Sequence, residues 1–184
     1  MKRNLLFAML AFILFGCNSK SDAPASGTAD STKTAAAGTE ELNYPYKLSK
    51  PYQDWQPGDK KHAVTAMGSL KGFETNDMAA CMAGFADSID VRLDGLQQKF
   101  SKDSLTKFFT AERSRYANMR IDMGDWESVV SKDGKTEYVT MWYKQVWTDK
   151  AGKTDSLAVV DDCKMVNGKI AELDEKVQRF QAKK

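Results

Sequence analysis

The sequence predicts an α+β fold in which helices come first and a long antiparallel meander follows. Between Lys60 and Phe109, apolar residues recur at the three- and four-residue spacing of amphipathic helices. Beyond Ala117 the period falls to two, and turn dipeptides separate the segments. These dipeptides are Asp133-Gly134, Ala151-Gly152 and Asn167-Gly168. Helices grouped before antiparallel strands pack together on one face of the sheet.

Three helices are predicted from their apolar spacing and from their capping residues. The first two carry Ala63, Met67, Leu70 and Phe73, and then Met78, Cys81, Met82 and Phe85. Asn76 is the predicted N-cap of the second helix, with Asp77 favourably placed on its dipole. Ser101 is the predicted N-cap of the third, where Phe100 and Leu105 occupy the positions of a hydrophobic staple.

Four long strands are predicted at 119–131, 136–148, 155–166 and 169–180. Gly124 interrupts the alternation of the first strand, which predicts a bulge that bends the sheet. The last segment also fits a helix, because Ile170, Leu173, Val177 and Phe180 recur at helical spacing. Periodicity alone leaves both structures open for it.

The amino terminus resembles a bacterial lipoprotein signal. Lys2-Arg3 precede an apolar run that ends in Gly16-Cys17, and the run is too short for a bilayer, which needs roughly 20 residues. The resemblance implies removal of residues 1–16 and acylation of Cys17, which would hold the chain on a membrane. A plain signal peptide and an uncleaved anchor are the alternatives. Asn18 stands where some bacteria carry an Asp for inner-membrane retention, which favours the outer membrane of the cell envelope.

Residues 17–43 are predicted to form a lipid-anchored flexible linker, since they are rich in Ser, Thr, Ala and Gly. Residues 44–184 suit one domain, which opens with an aromatic strap at 44–58 that we expect to pack across it. The strap carries Tyr44, Tyr46, Tyr52 and Trp55 together with three prolines.

Several classes of function are excluded by composition. The chain has 27 basic and 25 acidic residues, so loss of Lys2 and Arg3 leaves the mature protein neutral, and we expect no nucleic-acid partner. His62, the only histidine, is expected in solvent, and no metal or other cofactor is predicted. Once Cys17 is lipidated, an export compartment permits a Cys81–Cys163 disulfide, and two buried thiols are the alternative.

Several short motifs lie at the ends of the predicted helices and strands. Phe85-Ala86-Asp87-Ser88 end the second helix, a short strand spans 89–93, Asp94-Gly95 lead towards the third helix, and Asn167-Gly168-Lys169 form a late turn. Over 59–180 the chain resembles the nuclear transport factor 2-like superfamily, which includes SnoaL-like cyclases and ketosteroid isomerase. The resemblance implies a cone-shaped roll of three N-terminal helices on a curved antiparallel sheet with a pocket inside, and it favours a strand for the last segment. The leader and strap also resemble lipid-anchored members of the superfamily.

The catalytic residues of ketosteroid isomerase are only partly matched. Alignment on Phe85-Ala86-Asp87 puts Leu93 at the base position and Ser69 at the tyrosine position, and neither can do that work. A one-residue shift would bring Asp94 to the base position. The buried aspartate of that family falls on Asp161.

Strand alternation independently predicts a pocket around Asp161. Leu157, Val159, Cys163 and Met165 put Asp161 on their side of the sheet and Asp162 on the other. The predicted pocket residues are Tyr143, Gln145, Trp147, Val159, Asp161 and Cys163. Desolvation there should raise the carboxyl pKa. Alternatively, Asp161 is a core acid that bonds Gln145, Tyr143 or a backbone amide.

Two functions remain open at this stage. Because two of the three catalytic positions carry the wrong chemistry, we favour non-catalytic binding of a small apolar ligand or a protein partner over catalysis. The alternative is an isomerase- or cyclase-like enzyme that uses Asp161. A homodimer through the outer sheet face, at Tyr138, Trp142 and Val146, is the leading protein-partner hypothesis.

Overall fold

The structure is a computed structural model that describes residues 44–179. The chain divides into two units, Met1–Tyr46 and Lys47–Lys184. The second unit contains all the helices and strands of the described residues, and its buried apolar side chains form one hydrophobic core. The predicted signal, Cys17, the linker and Phe180 lie outside the described residues. None of the helices within 44–179 has the length and apolar character needed to cross a bilayer.

Within the described part of the second unit, three helices and seven strands follow one another. In chain order they are β1 Gln56–Pro57, α1 Lys60–Thr75, α2 Met78–Ala83, β2 Phe85–Leu93, β3 Leu96–Ser101, α3 Lys102–Arg113, β4 Tyr116–Val130, β5 Glu137–Asp149, β6 Thr154–Val166 and β7 Lys169–Arg179. The helices are thus not grouped at the N-terminus, since β2 and β3 separate α3 from the other two. The α+β class is as predicted.

The seven strands form one curved sheet in the order β1-β4-β5-β6-β7-β2-β3. All neighbours are antiparallel except β2 and β7, which run parallel from the Phe85–Ile170 pair onwards. The prediction of a wholly antiparallel sheet is therefore wrong, and the sheet is mixed. The reason is that β2, which follows the first two helices, pairs with β7, the last strand of the meander, on the edge that β6 does not occupy.

The meander β4 to β7 confirms the predicted hairpins. The turn before β7 has φ 50° at Asn167 and φ 72° at Gly168, two left-handed residues in succession, as a tight two-residue hairpin requires. The final segment is a strand. The register between β4 and β5 shifts at Gly124, where the bulge was predicted. A Cβ there would lie 3.1 Å from the Trp142 carbonyl oxygen, which favours glycine.

The helix caps agree with the sequence at α3 and differ at α2. Ser101 accepts a hydrogen bond from the Ser104 N–H at 3.2 Å, as predicted. The cap of α2 is Asp77, whose carboxylate accepts from Ala80 N–H at 3.0 Å. Asn76 instead ends α1 in the left-handed conformation, with φ 61°. The prediction placed this boundary one residue early, since Asn favours both kinds of cap.

The second helix is shorter than predicted. It ends at Ala83, and Phe85 already pairs with Ile170 in the sheet. The strand β3 was not predicted, because its exposed Gln97, Gln98 and Lys99 hide the alternation. The strap is also looser than expected, since Tyr52 is exposed and Trp55 packs edge-on against Tyr138 with ring centroids 5.9 Å apart.

Arg113 joins two helices and a strand. Its buried guanidinium donates to the carbonyl oxygens of Phe73 at 3.0 Å, Glu74 at 3.1 Å and Tyr116 at 3.1 Å. The first two are carbonyls in the last turn of α1, where the regular helix hydrogen bonds end and the Asn76 N–H reaches only the Phe73 carbonyl of the two, at 3.2 Å. One side chain at the end of α3 thus stabilises the end of α1 and the start of β4.

We expect Arg113→Met to lower the free energy of unfolding by about 2–4 kcal/mol, because it leaves three carbonyl groups without their charged donor. Urea unfolding measures the difference. Arg120→Met is the matched control: Arg120 is exposed and, among residues 44–179, pairs only with Asp122, so its loss should cost less than about 0.5 kcal/mol. Equal effects of the two substitutions would contradict this role of Arg113.

Candidate functional site

A cavity of about 590 Å³ lies between the helices and the inner face of the sheet. Its wall is mostly apolar and aromatic. The large apolar residues that line it are Leu70, Phe73, Phe85, Leu93, Leu96, Phe108, Phe109, Tyr116, Met141, Trp147, Leu157, Ile170, Leu173 and Val177. An apolar cavity of this size with a few inward polar groups is typical of a small-molecule site.

Asp161 is the principal polar group of the cavity wall. It is 5% exposed, and its Oδ2 accepts a hydrogen bond from the Tyr143 hydroxyl at 2.8 Å. The two side chains come from neighbouring strands, where Asp161 pairs directly with Met141 and therefore lies diagonal to Tyr143. No protein group within residues 44–179 donates to its Oδ1.

A second carboxyl lies opposite Asp161 on the neighbouring strand. Glu175 on β7 pairs directly with Asp161 on β6, and both line the cavity. Burial away from water raises the pKa of Asp161 from 3.8 to about 8, and the neighbouring Glu175 charge adds to the rise. Burial also raises the pKa of Glu175 from 4.5 to about 7, with a further contribution from Asp94. Both carboxyls are therefore held towards their protonated form.

Ser69 provides another polar atom. It is buried on α1 and lines the cavity, and its Oγ has no hydrogen-bond partner among the described residues. Gly84 packs against it so closely that a Cβ on Gly84 would lie 2.0 Å from the Ser69 Oγ. Ser69 and Asp161 thus both line the cavity, and each has a buried oxygen atom without a hydrogen-bond partner among the described residues.

The cavity opens between charged side chains that neutralise one another. Asp94, between β2 and β3, forms an ion pair with Arg179. Glu112 on α3 pairs with Arg115, which follows the helix, at 2.9 Å. All four line the cavity, and the exposed arginines mark its mouth.

The structure brings five of the six predicted pocket residues to the cavity, namely Tyr143, Gln145, Trp147, Asp161 and Cys163. Val159 does not line it: this residue is buried on the same face, but its short side chain lies between its paired neighbours Tyr143 and Val177. Leu93, Asp94 and Ser69, which stand at the compared catalytic positions, also line the cavity.

Cys81 and Cys163 are free, buried thiols that line the cavity, so the structure has no disulfide between them. Burial raises the pKa of Cys81 to about 12 and that of Cys163 well above its ordinary value. Both are therefore protonated and poor nucleophiles at neutral pH.

His62 is not in solvent as expected. Its side chain is 14% exposed, and its Nδ1 lies 3.6 Å from Glu137 Oε2 on β5, because α1 packs its first turn against the sheet. Within residues 44–179, no group of three His, Cys, Asp or Glu side chains is placed to hold a metal ion.

The outer sheet face is polar as well as aromatic. Trp142 is 37% exposed, whereas Trp55 covers part of Tyr138. Beside them Lys176 bridges Asp162 at 2.7 Å and Asp174 at 3.3 Å. The homodimer through Tyr138, Trp142 and Val146 stays a prediction.

No protein-family model matches the sequence, and a search of curated protein sequences finds no match either. Solved structures do match. A nuclear transport factor 2-like protein of unknown function from Exiguobacterium sp. 255-15 has a TM-score of 0.51 at 18% identity, over 62% of this chain and 98% of that chain. A second one, from Burkholderia pseudomallei K96243, has a TM-score of 0.52 at 17% identity, over 64% and 91%. The fold is that of the nuclear transport factor 2-like proteins.

The same fold carries enzymes. An epoxide hydrolase from M. tuberculosis, described as LEH-like, has a TM-score of 0.52 at 10% identity, over 65% of this chain and 84% of that chain. At such identities the likeness establishes the nuclear transport factor 2-like fold and leaves the chemistry to the residues of the cavity.

Sequence reasoning missed Glu175, although the signal was present. Leu173, Glu175 and Val177 alternate along β7, so the period of two places Glu175 on the inner face with its apolar neighbours. Ile170, Leu173 and Val177 also recur at helical spacing, which makes this alternation ambiguous in the sequence.

The raised carboxyl pKa values predict how stability depends on pH. Since Asp161 has a higher pKa in the folded state, the folded protein binds more protons than the unfolded chain between about pH 4 and 8, and stability falls as pH rises through that window. We expect urea unfolding at pH 4.5, 6 and 7.5 to show a loss on the order of a few kcal/mol.

Asp161→Asn should flatten this dependence, because the amide cannot ionise and still accepts from Tyr143. Asp162→Asn is the matched control and should keep the slope, since Asp162 lies on the opposite face and bonds Thr140 and Lys176. An unchanged slope in Asp161→Asn would show that Asp161 is ionised in the folded protein.

Proposed function

We propose that this chain is a lipid-anchored protein of the cell envelope whose domain binds a small, mostly apolar molecule in the cavity. The observation that carries the proposal is the pair of buried oxygen atoms without partners among the described residues, Asp161 Oδ1 and Ser69 Oγ, on residues of a mostly apolar wall. A buried polar atom without a partner costs about 1–3 kcal/mol, and a ligand that bonds it recovers that cost. Shape and burial supply the remaining affinity.

The placement of Asp161 argues for a role beyond packing. Its partner Tyr143 occupies only Oδ2, so Oδ1 can donate or accept according to protonation. A purely structural acid would be expected to have both oxygens bonded, as Asp162 has on the outer face through Thr140 and Lys176. The difference between these adjacent residues supports a binding site on the inner face.

Native mass spectrometry of the chain from Asn18 to Lys184, gently purified, tests the proposal. We expect the unmodified chain to retain a small molecule. In Asp161→Asn its binding should be lost or weakened at least tenfold, because the amide cannot ionise as the carboxyl can. Asp162→Asn should retain it at the level of the unmodified chain. Identical, empty spectra for all three forms would refute ligand binding and favour a protein partner.

A second candidate is an enzyme of the isomerase or cyclase kind. The observation that favours it is the carboxyl pair: Asp161 and Glu175 face each other, and their raised pKa values near neutrality suit proton transfer. Turnover would then need the ligand's reacting atom within about 3 Å of one carboxyl. A retained ligand that is chemically unchanged after long incubation argues for binding alone.

The anchor is tested separately through Cys17. We expect Cys17→Ser to abolish incorporation of a labelled fatty acid and to move the protein from the membrane fraction to the soluble fraction, since several acyl chains are needed for stable attachment. Asn18→Ser, one residue further on, is the control and should leave acylation intact. Membrane attachment that survives Cys17→Ser would contradict the lipid anchor and indicate an uncleaved apolar segment.

A further inference from the structure

Some charged side chains of the cavity form ion pairs, and others do not. At the mouth, Asp94 pairs with Arg179 and Glu112 pairs with Arg115. Asp161 and Glu175, which also line the cavity, form no ion pair with any Lys, Arg or His of the described residues. Two carboxyls that face each other across neighbouring strands are therefore left without a cation.

Opposed carboxyls in a desolvated wall are costly in the charged state. Either protons or a cation must neutralise them. A neutral ligand gives them one hydrogen-bond partner and leaves the repulsion, whereas an anionic ligand adds to it. A cationic ligand removes the repulsion and gains charge-assisted hydrogen bonds, which are about twice as strong as neutral ones.

The aromatic part of the wall suits the same kind of ligand. Phe73, Phe108 and Phe109 line the cavity from the helices, and Tyr116 and Trp147 from β4 and β5, where their ring centroids lie 5.7 Å apart. Aromatic faces attract organic cations through their quadrupole and also cover apolar groups. Carboxyls combined with aromatic rings recognise a cationic head and an apolar body together.

We propose that the ligand of this cavity is a protonated organic amine with an apolar body, whose ammonium group lies between Asp161 and Glu175. The inference rests on the proposed function, because it names the chemical class of the molecule that the same cavity binds. Ser69 and the Tyr143 hydroxyl are the neutral groups available to other polar atoms of the ligand.

Proton release follows from this arrangement. Burial raises the pKa of both carboxyls, so at neutral pH the empty pair holds protons that an ammonium group displaces. The other titratable groups around the pair are Tyr143 and Cys163 beside it, Cys81 on α2, Asp94, Glu112, Arg115 and Arg179 at the mouth, and Asp162 and Lys176 on the outer face. The mouth groups are already paired and the thiols stay protonated, which assigns the released protons to the two carboxyls.

Three probes with the same ring system test the proposal by isothermal titration calorimetry: 2-naphthylmethylamine, 2-naphthalenemethanol and 2-naphthoate. The chain from Asn18 to Lys184 contains the whole domain and is used throughout. At pH 7.5 we expect the amine to bind at least tenfold more tightly than the alcohol, and the carboxylate most weakly. Titrations in buffers of different ionisation enthalpy should show proton release for the amine only.

Glu175→Gln and Asp161→Asn should each reduce the amine preference, and the double variant should abolish it while still binding the alcohol. Asp162→Asn is the matched control and should keep the preference. Urea unfolding verifies that each variant is folded. If the double variant does not fold, Glu175→Gln alone tests the loss of the amine preference.

The outcomes separate the two proposals. Alcohol binding as tight as amine binding would overturn the amine inference and leave ligand binding intact. If no probe binds, the molecule retained in native mass spectrometry decides: a basic nitrogen in its composition supports the inference, and its absence overturns it. Failure of all probes together with an empty native spectrum would refute the proposed function itself, and the amine inference with it.

Discussion

The parallel pairing of β2 with β7 is the constraint on which the cavity depends. The Ile170 N–H donates to the Gly84 carbonyl at 2.8 Å, where the chain leaves α2 and enters the sheet. This bond places α1 and α2 beside the inner face of the meander, and Arg113 then fixes the end of α1 to α3 and β4. The inner face is thereby enclosed without being filled. Asp161 becomes a wall residue of a desolvated space, where its carboxyl pKa and its free oxygen acquire their significance.

Much of this architecture could be predicted from local signals. The turns at Asn167-Gly168 and its two counterparts fix the hairpins, and alternation along β6 separates Asp161 from Asp162. The Ser101 cap and its staple are equally local. By contrast, the β2–β7 pairing joins residues about 80 positions apart, and neither strand carries a signal that names its partner. The same holds for Arg113, whose three acceptors belong to elements that only the folded chain brings together.

For the same reason, only some of the site residues could be predicted from the sequence. Asp161 and Tyr143 lie on adjacent strands of one hairpin, so a period of two and a known turn place them together. Glu175 is also one turn away from β6, but its strand has an ambiguous period that a helix would satisfy equally. Ser69 reaches the cavity through the packing of α1 against the sheet, a tertiary contact. The sequence therefore indicates a mostly apolar pocket with one acid, Asp161, and the fold adds the opposed carboxyl and the second unpartnered oxygen.

Asp161 and Asp162 show most directly how position turns one residue type to different uses. On the outer face Asp162 meets Thr140 at 2.7 Å and Lys176 at 2.7 Å, so its charge is shared with a cation and with water. One residue earlier the carboxyl of Asp161 meets Tyr143 and faces Glu175, with burial opposing its ionisation. A core under selection for stability alone would be better served by an apolar residue there, because burying a second acid opposite the first costs free energy. The cost is recovered if a ligand neutralises the pair, and this is the physical reason to connect the two carboxyls with binding.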